Sequence, residues 1–205
     1  MPKPEDIKNG LQKIVNDYST FAIIWHIIFY LLIAAIILFW NPSNRLLALV
    51  MCLPVLSVSI FAWITGNPFN GSIFLLAVIL LGIFGLNMES HPIAYSQPSY
   101  VIAGIIIIAF GLVYPHFIKP DFILKYFYLS PVGLIPCPTL SVIIGFALVF
   151  NGFNSQPMTL IFIIIGLFYG IFGVLKLRVY LDMFLIFGLL FLLIKYLLTV
   201  LVPTL

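Results

Sequence analysis

Few side chains in this sequence could carry chemistry, and most of them stand alone among apolar neighbours. Cys137 lies in a segment running from Tyr128 to Leu140, in which Pro131, Pro136 and Pro138 fall within eight residues. A proline has no N–H to donate, and its ring collides with the preceding turn. A continuous α-helix through Pro136 and Pro138 is therefore not expected, and carbonyls near positions 131–134 should lose their partners. In hydrocarbon those groups must be met by a neighbouring helix, by Ser130 or Thr139, or by water. Counted along its apolar run, Cys137 lies about ten residues in, roughly 15 Å deep and near mid-membrane. A helix broken at mid-depth offers freed carbonyls and half-helix ends to a substrate or ion. Ser130, Pro136, Cys137, Pro138 and Thr139 are thus the candidate site for a small solute or ion. The competing reading is a kink that only shapes packing.

The remaining candidates are weaker. Cys52, beside Met51, and Cys137 are soft ligands in type, but they stand at different depths without a Cys-x-x-Cys or Met-rich run. No metal and no cofactor are expected, and buried free thiols are the default. His26 is read as a neutral ring bonded to a backbone carbonyl, and Glu89 with His91 as parts of a solvated loop. Asp182 and Lys195 are thirteen residues apart, about 20 Å along a helix, too far to pair. Asp182 is expected to be neutralised by Lys176 and Arg178, and Lys195 to snorkel outward. A retinal protein is not indicated, because the third apolar run has no carboxylate for a counter-ion. Nucleophile–base pairs, Gly-rich phosphate loops and paired carboxylates are missing from the apolar runs, so an intramembrane enzyme ranks third among the functional classes.

The elements that must position these residues are membrane helices. Hydrophobic residues make up 63% of the 205, charged residues only 7%, and the mean hydropathy is +1.24. Nine basic and six acidic side chains cannot cover a soluble fold of this size, so lipid must cover the rest. The net charge of +3 comes from basic residues set singly between apolar runs, a pattern that does not indicate nucleic acid. No cleavable signal peptide is expected, since the first apolar run is long enough to span and no small-residue cleavage site follows it. Apolar runs occupy 19–40, 46–65, 72–87, 99–117, 127–150, 158–175 and 180–202. The third is short enough to be partly re-entrant. Turn chemistry separates the runs at Asn41-Pro42-Ser43-Asn44, at Gly66-Asn67-Pro68 and at Asn151-Gly152-Phe153-Asn154. In residues 1–18, Ile7, Leu11 and Ile14 recur at helical spacing, which suits an interfacial helix.

The expectation is a polytopic all-α bundle of about seven spans, one transmembrane domain over 1–205, multi-pass in the cell membrane. The Val132-to-Thr139 run, with its Pro136-Cys137-Pro138-Thr139 segment, resembles the central signature of an uncharacterised family of small multi-spanning prokaryotic membrane proteins. Asn16-Asp17-Tyr18 leading to Trp25, and Gly170 to Asp182, are similar to it as well. Leu140 and Ser141 depart from the Thr and Phe that usually follow. The resemblance implies a fold and a membrane location and carries no activity. The first functional reading is a protein that moves or senses a small solute or ion at the break. The alternative is a non-catalytic membrane subunit packed against a protein partner or another copy of itself.

Lys3, Lys8, Lys13, Lys119, Lys125, Lys176 and Arg178 fall on one side of such a bundle and Arg45 on the other. That bias places the N-terminus inside and the C-terminus outside. Reporter fusions after Lys13 and after Leu205 are expected to report opposite compartments; a shared compartment would mean an even number of crossings.

Overall fold

Nine α-helices form along residues 4–118 and 122–201, the residues that the computed structural model describes. Lys3 and Lys119 of the basic count, and the last position of the final apolar run, lie outside them. The chain is all-α, with no strand among the described residues.

Helix α1 (Pro4–Asp17) carries Glu5 and Asp6 in its first turn, where the helix dipole favours acids. It buries Leu11, Ile14 and Val15, one helical face, against Leu134, Leu177 and Val179 of the bundle's end. Tyr18 turns the chain into α2 (Ser19–Leu38). Ser43 caps α3 (Asn44–Ile64) by accepting from the Leu46 N–H at 3.1 Å. The third apolar run is a full helix rather than a short re-entrant one. Asn67 caps it and Pro68 opens it, so α4 covers Pro68–Asn87. The fourth run stops early: α5 is Pro98–Leu112, because Pro115 pushes Tyr114 off helical geometry. The fifth run divides into α6 (Tyr126–Leu129), a turn, and α7 (Pro136–Val149). Helix α8 (Gln156–Leu175) follows the cap Ser155. A 3₁₀ turn at Tyr180–Asp182 leads into α9 (Met183–Leu201).

Five helices, α2, α3, α4, α8 and the stretch Tyr180–Leu201, are long and apolar enough to cross a membrane. Their outer faces leave Leu31, Leu38, Ile64, Leu76 and Leu198 exposed, an apolar surface that suits lipid. Between them α7 is buried on every side, with Cys137 the one residue of the helix that is not. Such all-round apolarity belongs to a core helix.

The closest helix pair is α5 with α7. Gly104 and Gly111, two turns apart on α5, let the backbones touch. A Cβ on Gly104 would lie 2.7 Å from the Gly145 carbonyl oxygen, and one on Gly111 would lie 2.8 Å from that of Pro138. Gly145 on α7 answers with its own Cβ position 2.7 Å from the Gly104 carbonyl oxygen. Small residues are what permits this approach where no hydrophobic effect drives helices together. At the other end of α7, Asn44 stitches three segments. Its Oδ1 accepts from Arg45 and His91 N–H groups at 2.8 Å each, and its Nδ2 donates to the Phe153 carbonyl at 3.2 Å.

Candidate functional site

Pro136 and Pro138 do not kink a running helix; they begin one. Both fall in the first turn of α7, whose leading N–H groups have no intrahelical acceptor in any case. The interruption lies just before them. Ser130 and Ile135 are extended, and Gly133 adopts a φ of +76°, a left-handed conformation that glycine takes without strain. Gly133 also abuts the Trp25 indole so closely that a side chain there would overlap the ring. The Trp25 indole N–H is in turn fixed on Ser57 Oγ at 2.9 Å.

The two hydroxyls named from the sequence seal this turn. Thr139 Oγ1 donates to the Ile135 carbonyl at 2.7 Å and accepts from the Gly133 N–H at 2.8 Å. Ser130 Oγ donates to the Gly111 carbonyl at 3.0 Å, joining the turn to α5. The Pro131 carbonyl, expected to be without a partner, accepts from the Leu134 and Ile135 N–H groups at 3.2 Å each. Thr139 and Ser130 are fully buried. Their polar atoms are thus committed to the backbone of the break.

Residues 130–135 form a turn, so a helical rise does not run unbroken through 127–136 to Cys137. The thiol lies in the first turn of α7, beside the cluster formed by α1 and the α8–α9 connection. It donates to Asp182 Oδ2 at 3.2 Å. The other carboxylate oxygen, Oδ1, accepts from the Tyr114 hydroxyl at 2.7 Å.

Asp182 is only 1% exposed. Neither Lys176 nor Arg178 forms an ion pair with it, contrary to the reading that places it at a neutralising interface. The 3₁₀ turn Tyr180–Asp182 folds it back over the end of α8, where the Val179 N–H bonds the Gly173 carbonyl at 2.9 Å. Gly173 leaves the space that the carboxylate occupies; a Cβ there would overlap it. One turn earlier on α8, the Tyr169 hydroxyl donates to Asn70 Oδ1 at 3.0 Å.

His26 faces two carbonyl oxygens, Ala22 O from Nδ1 at 2.7 Å and Leu112 O from Nε2 at 2.9 Å, and so ties α2 to the end of α5. A neutral ring has one N–H and donates to one of them; an imidazolium donates to both. Cys52 Sγ donates to the Ala48 carbonyl at 3.5 Å within its own helix, away from Cys137 in the hydrogen-bond network. Among the described residues no group of three or more His, Cys, Asp or Glu side chains is placed to hold a metal ion.

The structure therefore brings Cys137 together with Tyr114 and Asp182, while Ser130, Thr139, Pro136 and Pro138 build the turn beneath it. Tyr114 is absent from the sequence reading because nothing local marks it. The signal for Asp182 is its place at the head of an apolar run behind two glycines, Gly170 and Gly173, a turn apart. Chemically, the arrangement is a carboxyl in an apolar interior that receives two neutral donors and no basic side chain. Such a carboxyl is a candidate for taking up a proton or facing a small cation. Comparison of the chain with protein-family models, curated proteins and solved structures finds no match.

Gly173→Ala is expected to lower the thermal stability of the purified protein by about 1–3 kcal/mol, the usual penalty of overpacking. Gly82→Ala, whose added Cβ meets nothing within 4 Å, serves as the control and is expected to change little. Equal melting of the two variants would place Asp182 away from Gly173.

Proposed function

We propose that this membrane protein moves or senses a small cation, the proton foremost, at the carboxyl of Asp182. The observation that carries this reading is the burial of that carboxyl among a phenol, a thiol and glycine backbone with no basic partner. A charge left in hydrocarbon without an opposite charge is expensive, so such a group is a functional candidate by default. Proton uptake removes the charge, and a bound cation offsets it. In this reading the Ser130–Ile135 turn, Pro136, Pro138 and Thr139 hold Cys137 and the head of α7 in position beside the carboxyl. The solute or ion site of the sequence reading is thereby centred on Cys137 and Asp182.

The same reading takes α5 and α7 as crossings, which makes seven spans with the N-terminus inside. At 15 and 14 residues they rise about 22 and 21 Å, less than the hydrocarbon thickness of about 30 Å. The segment before α7 is itself suited to lipid: Phe122, Ile123, Leu124 and Phe127 are apolar and exposed, and the Phe127 carbonyl accepts from the Tyr30 hydroxyl, halfway along α2, at 2.6 Å. Kinship with the uncharacterised prokaryotic family that shares the Pro136-to-Thr139 segment belongs to this proposal.

One observation favours the alternative, a non-catalytic subunit. Neither described cavity is lined by Cys137 or Asp182, and Ser130 and Thr139 are sealed. The two readings separate in vesicles. Protein reconstituted into liposomes with an internal pH dye is expected to dissipate an imposed pH gradient faster than empty liposomes, and Asp182→Asn to return the rate to that of empty liposomes. Wild type and Asp182→Asn decaying at the same rate would favour the subunit reading.

A further inference from the structure

The polar end of the bundle away from Asp182 holds a second feature. Lys195 lies thirteen residues further along α9, about 20 Å from Asp182. It lines a cavity of about 230 Å³ together with Asn151, Asn154, Ser155, Gln156 and Tyr196. Among the described residues, Lys195 is the only charged group in that lining, and no carboxylate contributes to it.

Lys195 is half-buried, and its head is anchored rather than loose. Its Nζ donates to Ser96 Oγ and stands 5.3 Å from the centroid of the Tyr100 ring. Ser96 is itself fixed, accepting from the Asn151 N–H at 3.0 Å and donating to the Leu148 carbonyl at 2.5 Å. An ammonium has three donors, so Lys195 keeps two beyond the one given to Ser96. The start of α8 opens on the same cavity, with Ser155 as its cap, and adds the positive end of a 20-residue helix. The chain reaches that start through four consecutive left-handed residues, Asn151, Gly152, Phe153 and Asn154, with φ between 51° and 61°. This turn sets the two asparagine amides side by side, Asn151 Nδ2 donating to Asn154 Oδ1 at 2.6 Å. Left-handed geometry at three non-glycine residues is strained and persists only where its surroundings impose it.

We propose that this cavity binds a phosphate oxyanion, either a lipid headgroup or a free phosphate. A fixed cation, a helix start and neutral amides converge on it, and among the described residues no negative side chain competes. The lysine stands six residues from the end of α9 at Leu201, about 9 Å, from which a side chain of its length reaches toward the headgroups if α9 spans.

The test is thermal melting of the full chain in a neutral maltoside detergent, with inorganic phosphate in one arm and dihexanoyl phosphatidylglycerol in the other. A saturable rise of roughly 5 °C is expected in at least one arm. A rise with the lipid alone identifies a headgroup site, and a rise with inorganic phosphate identifies a site for the free anion. Lys195→Met should abolish the rise and Lys195→Arg should keep it. Asn154→Asp retains the oxygen that accepts from Asn151 and introduces a carboxylate into the cavity; it should abolish the rise with the fold intact. No rise in either arm, or a rise undiminished in Lys195→Met and Asn154→Asp, would overturn the proposal.

Discussion

Hydrocarbon offers a polar group nothing to bond, and this requirement organises the interior of the bundle. Among the described residues, no buried side-chain nitrogen or oxygen lacks a hydrogen-bond partner. Several interruptions of the helices are accordingly closed by nearby side chains. Thr139 and Ser130 close the turn before α7, Asn44 joins the segments at the far end, and Ser96 holds Leu148 and Asn151 together. An unmet donor or acceptor in such a place would cost about 1–3 kcal/mol. Irregular backbone is tolerated here because it is enclosed by protein.

The same constraint explains why α7 is short and central. Two prolines can open a helix without loss, and the glycines of α5 and α7 then let the two backbones meet. That contact brings the end of α5, and with it Tyr114, level with the first turn of α7. The 3₁₀ turn before α9 reaches the same level from the other side and, by way of the space left at Gly173, delivers Asp182. Three segments far apart in sequence thus supply the phenol, the thiol and the carboxyl. The packing of apolar helices and the placement of the polar cluster are one arrangement.

Features set by local chemistry were legible in the sequence. Hydropathy over 20-residue stretches marks the long helices, and Asn67-Pro68 and Ser43-Asn44 mark where two of them begin. The prolines around Cys137 mark an interruption, and its location is recovered to within a few residues. Its form is not, because a proline that breaks a helix and a proline that starts one look alike until the preceding backbone is known. The partners of Asp182 lie 45 and 68 residues away in the chain, and no short-range pattern links them. Proximity in sequence favours Lys176 and Arg178 as partners, yet the fold of the α8–α9 connection turns the carboxyl away from both and into the core. The anchor of Lys195, Ser96, is likewise 99 residues away and carries no short-range signal.

The polar cluster depends on the hydrogen bond that the Cys137 thiol donates to the buried Asp182 carboxyl. The infrared S–H stretch reads this directly, because a hydrogen-bonded thiol absorbs at lower frequency than a free one. In a Cys52→Ser background, which leaves Cys137 as the only thiol, replacing Asp182 by Leu should move that band to higher frequency and narrow it. A band unchanged by the substitution would contradict the assignment of Asp182 as the partner of Cys137.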